Sequence, residues 1–466
     1  MRHLRLSLAI IAVLISISVI TGCEFSDKKI NEDTGNNNNT TDTGHIEESE
    51  IVDVNEPSTW TTDPKKNVRY MHITWQNDPA TTLTFQWQSD FINPGKYKPR
   101  VWIVKASLVK TEGNKIIMPY AKQFSYSGEG FVYVTQDKDG NNEKRAQYTV
   151  EVFGLEEDTE YYYRVGTFDD FDFNTKSFIN PDLTEPKKIK TGLKAGNKKP
   201  FTVFSGGDSQ SGTPNIKNNI DWIKNLRADF LIFYGDLNEV GTQSEWDAYF
   251  DAMQPWFYNK VFMPVQGNHE TVAELFYYQF ALPKMDNLED AYKEHHWSFD
   301  YGVAHFVGLN SNTDATVKAA NAFLEADLKK ARENKNIQWI IVMMHHPVYS
   351  ACSTHGSTQR VIENWVPIFE KYKVDLVLGG HDHNFERTYP IKNNNKATQG
   401  EGVQYVVCSP FMSPKWYSAG SDWWTYKSKD GSDGCFGMIE INQNELTYTA
   451  YAGDGVIIID SFTLKK

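Results

Sequence analysis

From about residue 57 to residue 192 the chain alternates apolar and polar positions in short runs, such as Val68–Trp75 and Thr82–Trp87. A period of two in β-branched and aromatic side chains marks half-buried strands, and several such runs predict an all-β sandwich. The alternation stops at Thr191–Pro200, where Gly192, Gly196, Lys198, Lys199 and Pro200 interrupt it. Beyond that break, continuous apolar runs (Phe201–Phe204, Phe230–Tyr234, Val261–Val265, Trp339–Met344, Leu376–Leu378) alternate with stretches of helical character at Ile216–Arg227, Gln243–Met253 and Thr316–Asn334. Buried strands alternating with helices predict an α/β domain over residues 193–466.

The amino terminus follows a different pattern. Arg2 and Arg5 precede an apolar stretch from Leu6 to Ile20, too short for a membrane span and suited to the core of a signal peptide over residues 1–22. Ile20-Thr21-Gly22-Cys23 resembles a bacterial lipobox, which implies that Cys23 is acylated and becomes the first mature residue. The rest of the chain is then expected outside the cytoplasm, tied to a bacterial membrane by lipid alone. Residues 23–56, with acids, threonines and the run Asn36–Asn39, hold few large apolar groups and read as a polar tether.

Composition narrows the possibilities. At 466 residues with 40% hydrophobic content, the chain can bury cores in two domains. Its net charge of −13 offers no basic surface for nucleic acid, so any affinity for an anion must be local. With Cys23 lipidated, Cys352, Cys408 and Cys435 remain, and their pairing is left open.

The candidate chemistry lies where the apolar runs of the second domain end. Asp208 and Gln210 follow the first run, Asp236 and Glu239 the second, Asn268, His269 and Glu270 the third, His345 and His346 the fourth, and His381 and His383 the fifth. In open α/β sheets that edge is where ligands bind. Imidazoles and carboxylates without nearby cysteines suit iron, zinc or manganese. The set fits a pair of cations: Asp208 and His383 on one, Asn268, His345 and His381 on the other, and Asp236 between them, since a carboxylate has an oxygen for each. Only two of these ligands are anionic, so the surplus charge favours an anionic substrate.

The order of these five motifs resembles the calcineurin-like metallophosphoesterases and, within them, the purple acid phosphatases. The likeness extends through Trp297–Asn310 and His383–Tyr389, while Trp75–Trp87 and Val152–Val165 are similar to the fibronectin type III-like domain that precedes the catalytic domain in that branch. The resemblance implies an N-terminal sandwich over residues 57–192, followed by two packed β-sheets flanked by helices. Gly402–Cys408 and Glu445–Tyr451 are read as strands finishing the second sheet, and Leu155 and Tyr162 as packing a corner of the sandwich. It further implies a phosphomonoesterase that releases phosphate through a metal-bound hydroxide, with His269 and His355 facing the substrate beside Asn268. A phosphodiesterase or nucleotidase using the same metals is the alternative, and a non-catalytic binding lipoprotein a second one.

Two positions depart from the family pattern. Glu239 stands where the purple enzymes carry the tyrosine whose phenolate on ferric iron gives their colour, and Gln210 stands where the wider superfamily has a histidine. The first cation thus lacks its usual fourth side chain, and Gln210, Glu239 or water must complete it. Glu270 is expected to orient a neighbour, His305 to be a hydrogen-bonded core residue, and Arg387 to pair with a carboxylate. The metal pair, the leaving group and the loop covering the site are left open, with 352–360, 410–434 and the sandwich as candidate covers.

Overall fold

Two antiparallel layers build the first part of the fold. Arg69–Thr74, Leu83–Ser89, Asn142–Val152 and Glu129–Gln136 pair in that order, and facing them Lys98–Lys105 lies between Glu160–Phe168 and Phe124–Ser127. The computed structural model describes residues 68–89, 98–113, 115–118, 124–137, 139–168, 170–172, 177–179, 182–270 and 273–466; the segments expected to be signal peptide and tether, with Cys23, lie outside them. Alternate residues meet between the layers: Phe85 and Tyr148 from one, Val101, Ile103 and Tyr163 from the other, with the Phe85 and Tyr163 rings 4.8 Å apart. The corner is packed by Leu155 and Tyr161, not Tyr162. Tyr161 is buried and its hydroxyl accepts the Glu156 amide at 2.9 Å, whereas Tyr162 falls on the other phase of the strand and is half-buried.

The second part holds two larger sheets. One runs, in spatial order, Ile458–Lys465, Glu445–Ala452, Cys435–Ile441, Phe201–Gly206, Phe230–Phe233 and Val261–Pro264, and continues directly into Arg69–Thr74 of the sandwich through a parallel pairing of Val261 with Ile73. The other runs His296–Tyr301, Ala304–Leu309, Trp339–Met344, Leu376–Gly379, Gln404–Cys408, Asn384–Thr388 and Thr425–Asp430. Gln404–Cys408 therefore lies in this second sheet, but Glu445–Ala452 belongs to the first. Cys435–Ile441 pairs antiparallel with Phe201–Gly206 and carries the hairpin after it to that edge.

Period two also divides the core. Ile341, Met343, Leu376 and Leu378 join the cluster between the sheets, while Ile340, Val342, Met344 and Val377 turn to the helical side. There they meet Val317, Phe323, Leu324 and Leu328 of helix Asp314–Glu333. That helix begins on a Thr313–Thr316 capping box, and helix Gln243–Phe257 on a Thr242–Glu245 box. The sandwich leans on the latter helix through buried polar links. Tyr133 donates to Gln243 at 2.8 Å and Arg145 pairs with Asp247 at 2.8 Å, and beyond that helix Thr74 donates to the Ala281 carbonyl at 2.6 Å. His305 is bracketed by Asp300 (2.7 Å) and Asp327 (2.9 Å), and Arg387 by Asp460.

Candidate metal centre

All five motifs leave the same ends of parallel strands. Phe201–Gly206, Phe230–Phe233 and Val261–Pro264 run parallel in one sheet, and Trp339–Met344 and Leu376–Gly379 run parallel in the other. Three loops from the first sheet thus meet two from the second. The backbone bends sharply there: Asp208, Gln210, Asp236 and His381 have φ of 58°, 34°, 52° and 68°. A left-handed residue with a side chain costs on the order of 1–2 kcal/mol, and such cost gathers where a site must be held in shape. The glycines of the motifs have a spatial reason. A Cβ on Gly267 would lie 2.1 Å from Asp236 Oδ1, and one on Gly380 2.1 Å from Asp208 Oδ2.

The Asn268, His345 and His381 group is tightly gathered. His345 Nε2 lies 2.8 Å from Asn268 Oδ1, 3.1 Å from His381 Nδ1 and 3.2 Å from Asp236 Oδ2. Its other nitrogen donates to the Tyr234 carbonyl at 2.9 Å, which orients the ring with Nε2 inward. Asp236, His345 and His381 form a cluster whose ligand atoms all lie within 4.8 Å of one another. His346 points elsewhere, its Nδ1 sharing a hydrogen bond with Ser311 Oγ at 3.0 Å.

The Asp208 and His383 side is looser. His383 Nε2 is 3.4 Å from Asp208 Oδ1, and its Nδ1 donates to the Lys415 carbonyl at 2.9 Å. Asp208 accepts the His381 amide on both oxygens, at 2.9 and 3.0 Å. Gln210 turns its amide nitrogen to Asp236 Oδ2 at 3.1 Å, and its Oε1 is buried without a hydrogen-bond partner. Glu239 pairs with the Lys415 ammonium through one oxygen, and its Oε2 is buried without a hydrogen-bond partner.

Glu270 performs the orienting role expected of it. Its carboxylate accepts the backbone amides of Asp236 (3.1 Å), Leu237 (2.7 Å), Asn238 (3.3 Å) and Gly267 (2.7 Å), tying two ligand loops together. His269 donates Nδ1 to the Glu239 carbonyl at 2.6 Å, and its amide binds Asp236 Oδ1 at 2.8 Å. His355 is brought over the site from its own loop, its ring 4.1 Å from that of His381. Asp382, fully buried, holds His355 Nδ1 at 3.0 Å and the Gly356 amide at 3.2 Å. Tyr417 stacks on His383 with ring centres 4.7 Å apart. Segments from both 352–360 and 410–434 therefore border the centre. Asp382, Lys415 and Tyr417 escaped the sequence reading. Of these only Asp382 carried a signal, its place between His381 and His383.

The charges interlock. Burial opposes the Asp236 carboxylate, yet His345 and His269 hold its carboxyl at about 2. Burial also opposes the His345 imidazolium, and Asp236 outweighs it, raising His345 to about 9. His381 is pushed down to about 2 by burial and by His345. Oxygen and imidazole donors converging on one point, with the charge of one imidazole set against its neighbour's, suit a cation that displaces the His345 proton. The orphaned Gln210 Oε1 is a further acceptor beside Asp236.

Known proteins agree with this geometry. The calcineurin-like phosphoesterase family matches residues 201–385, and the purple acid phosphatase N-terminal domain matches residues 68–178. The chain is 26% identical over 271 residues to purple acid phosphatase 21 of Arabidopsis thaliana, covering 55% of this chain and 56% of that protein. It is 29% identical over 266 residues to phosphoenolpyruvate phosphatase of Allium cepa, covering 51% and 50%. It thus spans about half the length of these curated relatives. The fold is similar to that of purple acid phosphatase PPD1 from yellow lupin seeds, with a TM-score of 0.71 at 18% identity over 86% of this chain and 74% of that one. With its motifs, its two sheets and its sandwich matched in this way, residues 201–385 form a calcineurin-like phosphoesterase domain, residues 68–178 a purple acid phosphatase N-terminal domain, and the chain is purple acid phosphatase-like in its order of domains.

Proposed function

We propose that the protein is a dinuclear-metal phosphohydrolase that acts on phosphomonoesters outside the cytoplasm. The observation that carries this reading is the convergence of Asn268 Oδ1, His381 Nδ1 and Asp236 Oδ2 within 2.8–3.2 Å of His345 Nε2. No hydrophobic or structural purpose accounts for four such atoms meeting at the ends of parallel strands. Asp208 and His383 would hold one cation, Asn268, His345 and His381 the other, with Asp236 between them. Such a pair, when bound, supplies Lewis acidity toward phosphoryl oxygens and lowers the pKa of water.

The chain's own residues orient the ester and handle protons. His355, with Nδ1 anchored on Asp382, has Nε2 available to hydrogen-bond the phosphoryl group or the departing oxygen. His269, with Nδ1 anchored on the Glu239 carbonyl, has Nε2 available beside Asn268. The cavity next to the cluster, about 510 Å³ and lined in part by His346, His355 and His381, gives the ester room to enter.

Location at a membrane surface through acylated Cys23 is part of the same proposal, supported by Arg2, Arg5 and the Leu6–Ile20 run. Among the described residues no helix is long and apolar enough to cross a membrane. Replacing Cys23 by serine should move the protein from the membrane fraction to the soluble one.

The activity is tested by hydrolysis of an aryl phosphomonoester after zinc, manganese or iron is returned to chelated protein. Turnover should depend on metal and fall at least about a thousandfold in Asp236→Ala, ~4 kcal/mol of barrier. Turnover of a bis-aryl phosphate in preference to the monoester would replace this reading by a phosphodiesterase.

A further inference from the structure

Beyond the metal ligands, the molecule has a second hollow that the chemistry of the centre leaves unused. It measures about 640 Å³ and adjoins the cavity beside His355 and His381, with Ser357 and Gln359 lining both. Tyr349, Trp423 and Trp424 supply its aromatic surface, and Glu370, Asn393 and Asn394 supply carboxylate and amide groups.

The aromatic surface is fixed to the metal centre. Glu386, 1% exposed, lies on the strand that directly follows His383. It accepts the Trp424 indole N–H at 3.0 Å, the Thr425 hydroxyl at 3.0 Å and the Ala351 amide at 2.8 Å. One buried carboxylate thereby ties the loop carrying both tryptophans to the loop leading from Tyr349 to His355. Tyr349 packs on Trp424 with ring centres 5.6 Å apart, and Trp423 crosses Trp424 at 82°. Trp423 stays half-buried.

The chemistry of the walls selects a kind of leaving group. Preformed aromatic faces take a flat ring, and a base stacked on an aromatic side chain gains affinity without needing a particular sequence of hydrogen bonds. Arg360 lines the adjoining cavity with Asp314 and Glu363, whereas the charge lining this hollow comes from Glu370, so an acidic group placed in it is disfavoured. A neutral ring bearing N–H donors suits both the carboxylate and the amide oxygens.

We propose that this hollow is a leaving-group subsite for a nucleoside, which makes nucleoside monophosphates favoured substrates of the metal centre. The proposal rests on the phosphatase reading and sharpens it. In the metal-loaded full chain, kcat/KM should be measured for adenosine 5′-monophosphate and for glycerol 2-phosphate, in wild type, Trp423→Ala and Trp423→Phe. The nucleotide-to-glycerol-phosphate ratio should fall at least about fivefold in Trp423→Ala, mainly through KM, and recover in Trp423→Phe, as a stacking contribution requires. An unchanged ratio in Trp423→Ala overturns the subsite while the phosphatase reading stands. A wild-type preference for a hexose phosphate over the nucleotide, lost in Trp423→Ala, overturns the nucleoside assignment. If neither ester is turned over by the wild type, the phosphatase reading itself fails, and the subsite with it.

Discussion

The two halves of the candidate centre are built to different tolerances. Around His345, three partner atoms lie within 3.2 Å of one nitrogen, and a backbone carbonyl locks the ring behind it. Around Asp208 the nearest imidazole is 3.4 Å away, and the two further side chains are only partly engaged, Gln210 through its amide nitrogen to Asp236 and Glu239 through one oxygen to Lys415, which leaves Gln210 Oε1 and Glu239 Oε2 without partners. The difference follows from where the support comes from. Tyr234, behind His345, ends a strand buried in the first sheet. Lys415, behind His383, sits on a loop that returns over the site. We therefore expect one tight cation site and one that exchanges readily.

Ligand substitutions break this comparison most strongly. Under increasing chelator, the wild type should lose its cations in two steps. His383→Ala should keep about one cation per chain, and His345→Ala should lose the tight step, because each removes ligands from one half. Elemental analysis along the titration checks this. Equal losses in both variants would mean that the halves are alike.

A smaller effect is expected from Asp382→Asn, which keeps the fold of the loop but weakens the hold on His355 Nδ1. Supporting partners of this kind are worth about 10–100-fold, so kcat should fall by about that factor while metal content stays at the wild-type level. A parallel loss of metal would instead make Asp382 a support for His381 and His383.

Smallest for the centre, though not for the fold, is the effect at His305. Burial lowers its pKa, but Asp327 and Asp300 outweigh burial and raise it from 6.5 to about 10. A folded pKa above the unfolded one contributes stability that is fully present below pH 6.5 and lost as pH rises through about 10. The stability gap between wild type and His305→Gln, measured by urea unfolding at pH 6 and pH 10.5, should therefore shrink with rising pH, by on the order of 4 kcal/mol. The metal centre plays no part in that change, so activity per folded molecule should not track it.

How much of this could be read from the chain depends on the range of the interaction. The five motifs were legible because each follows an apolar run, and a buried strand that ends in a polar residue is a local pattern. The roles of Glu270 and Arg387 were legible for the same reason, through their places within motifs. Strand order was not: nothing in Glu445–Ala452 records that Cys435–Ile441 pairs with Phe201–Gly206, far away in sequence. Tyr161, Tyr162 and Tyr163 are three identical residues in a row, so composition gave no phase, and only the pleat decides which of them face inward. Lys415 and Tyr417 reach His383 across a loop with no repeat or motif. The destination of Gln210 depends on an amide that faces Asp236 only once two loops have met.

The central claim is a pair of cations with Asp236 between them, and metal content tests it most directly. Purified wild type and Asp236→Asn should be loaded with zinc or manganese, freed of excess and analysed for metal per chain. The account predicts about two cations in the wild type and fewer than about one in the variant, since both sites lose a ligand. Two cations retained by Asp236→Asn would contradict it.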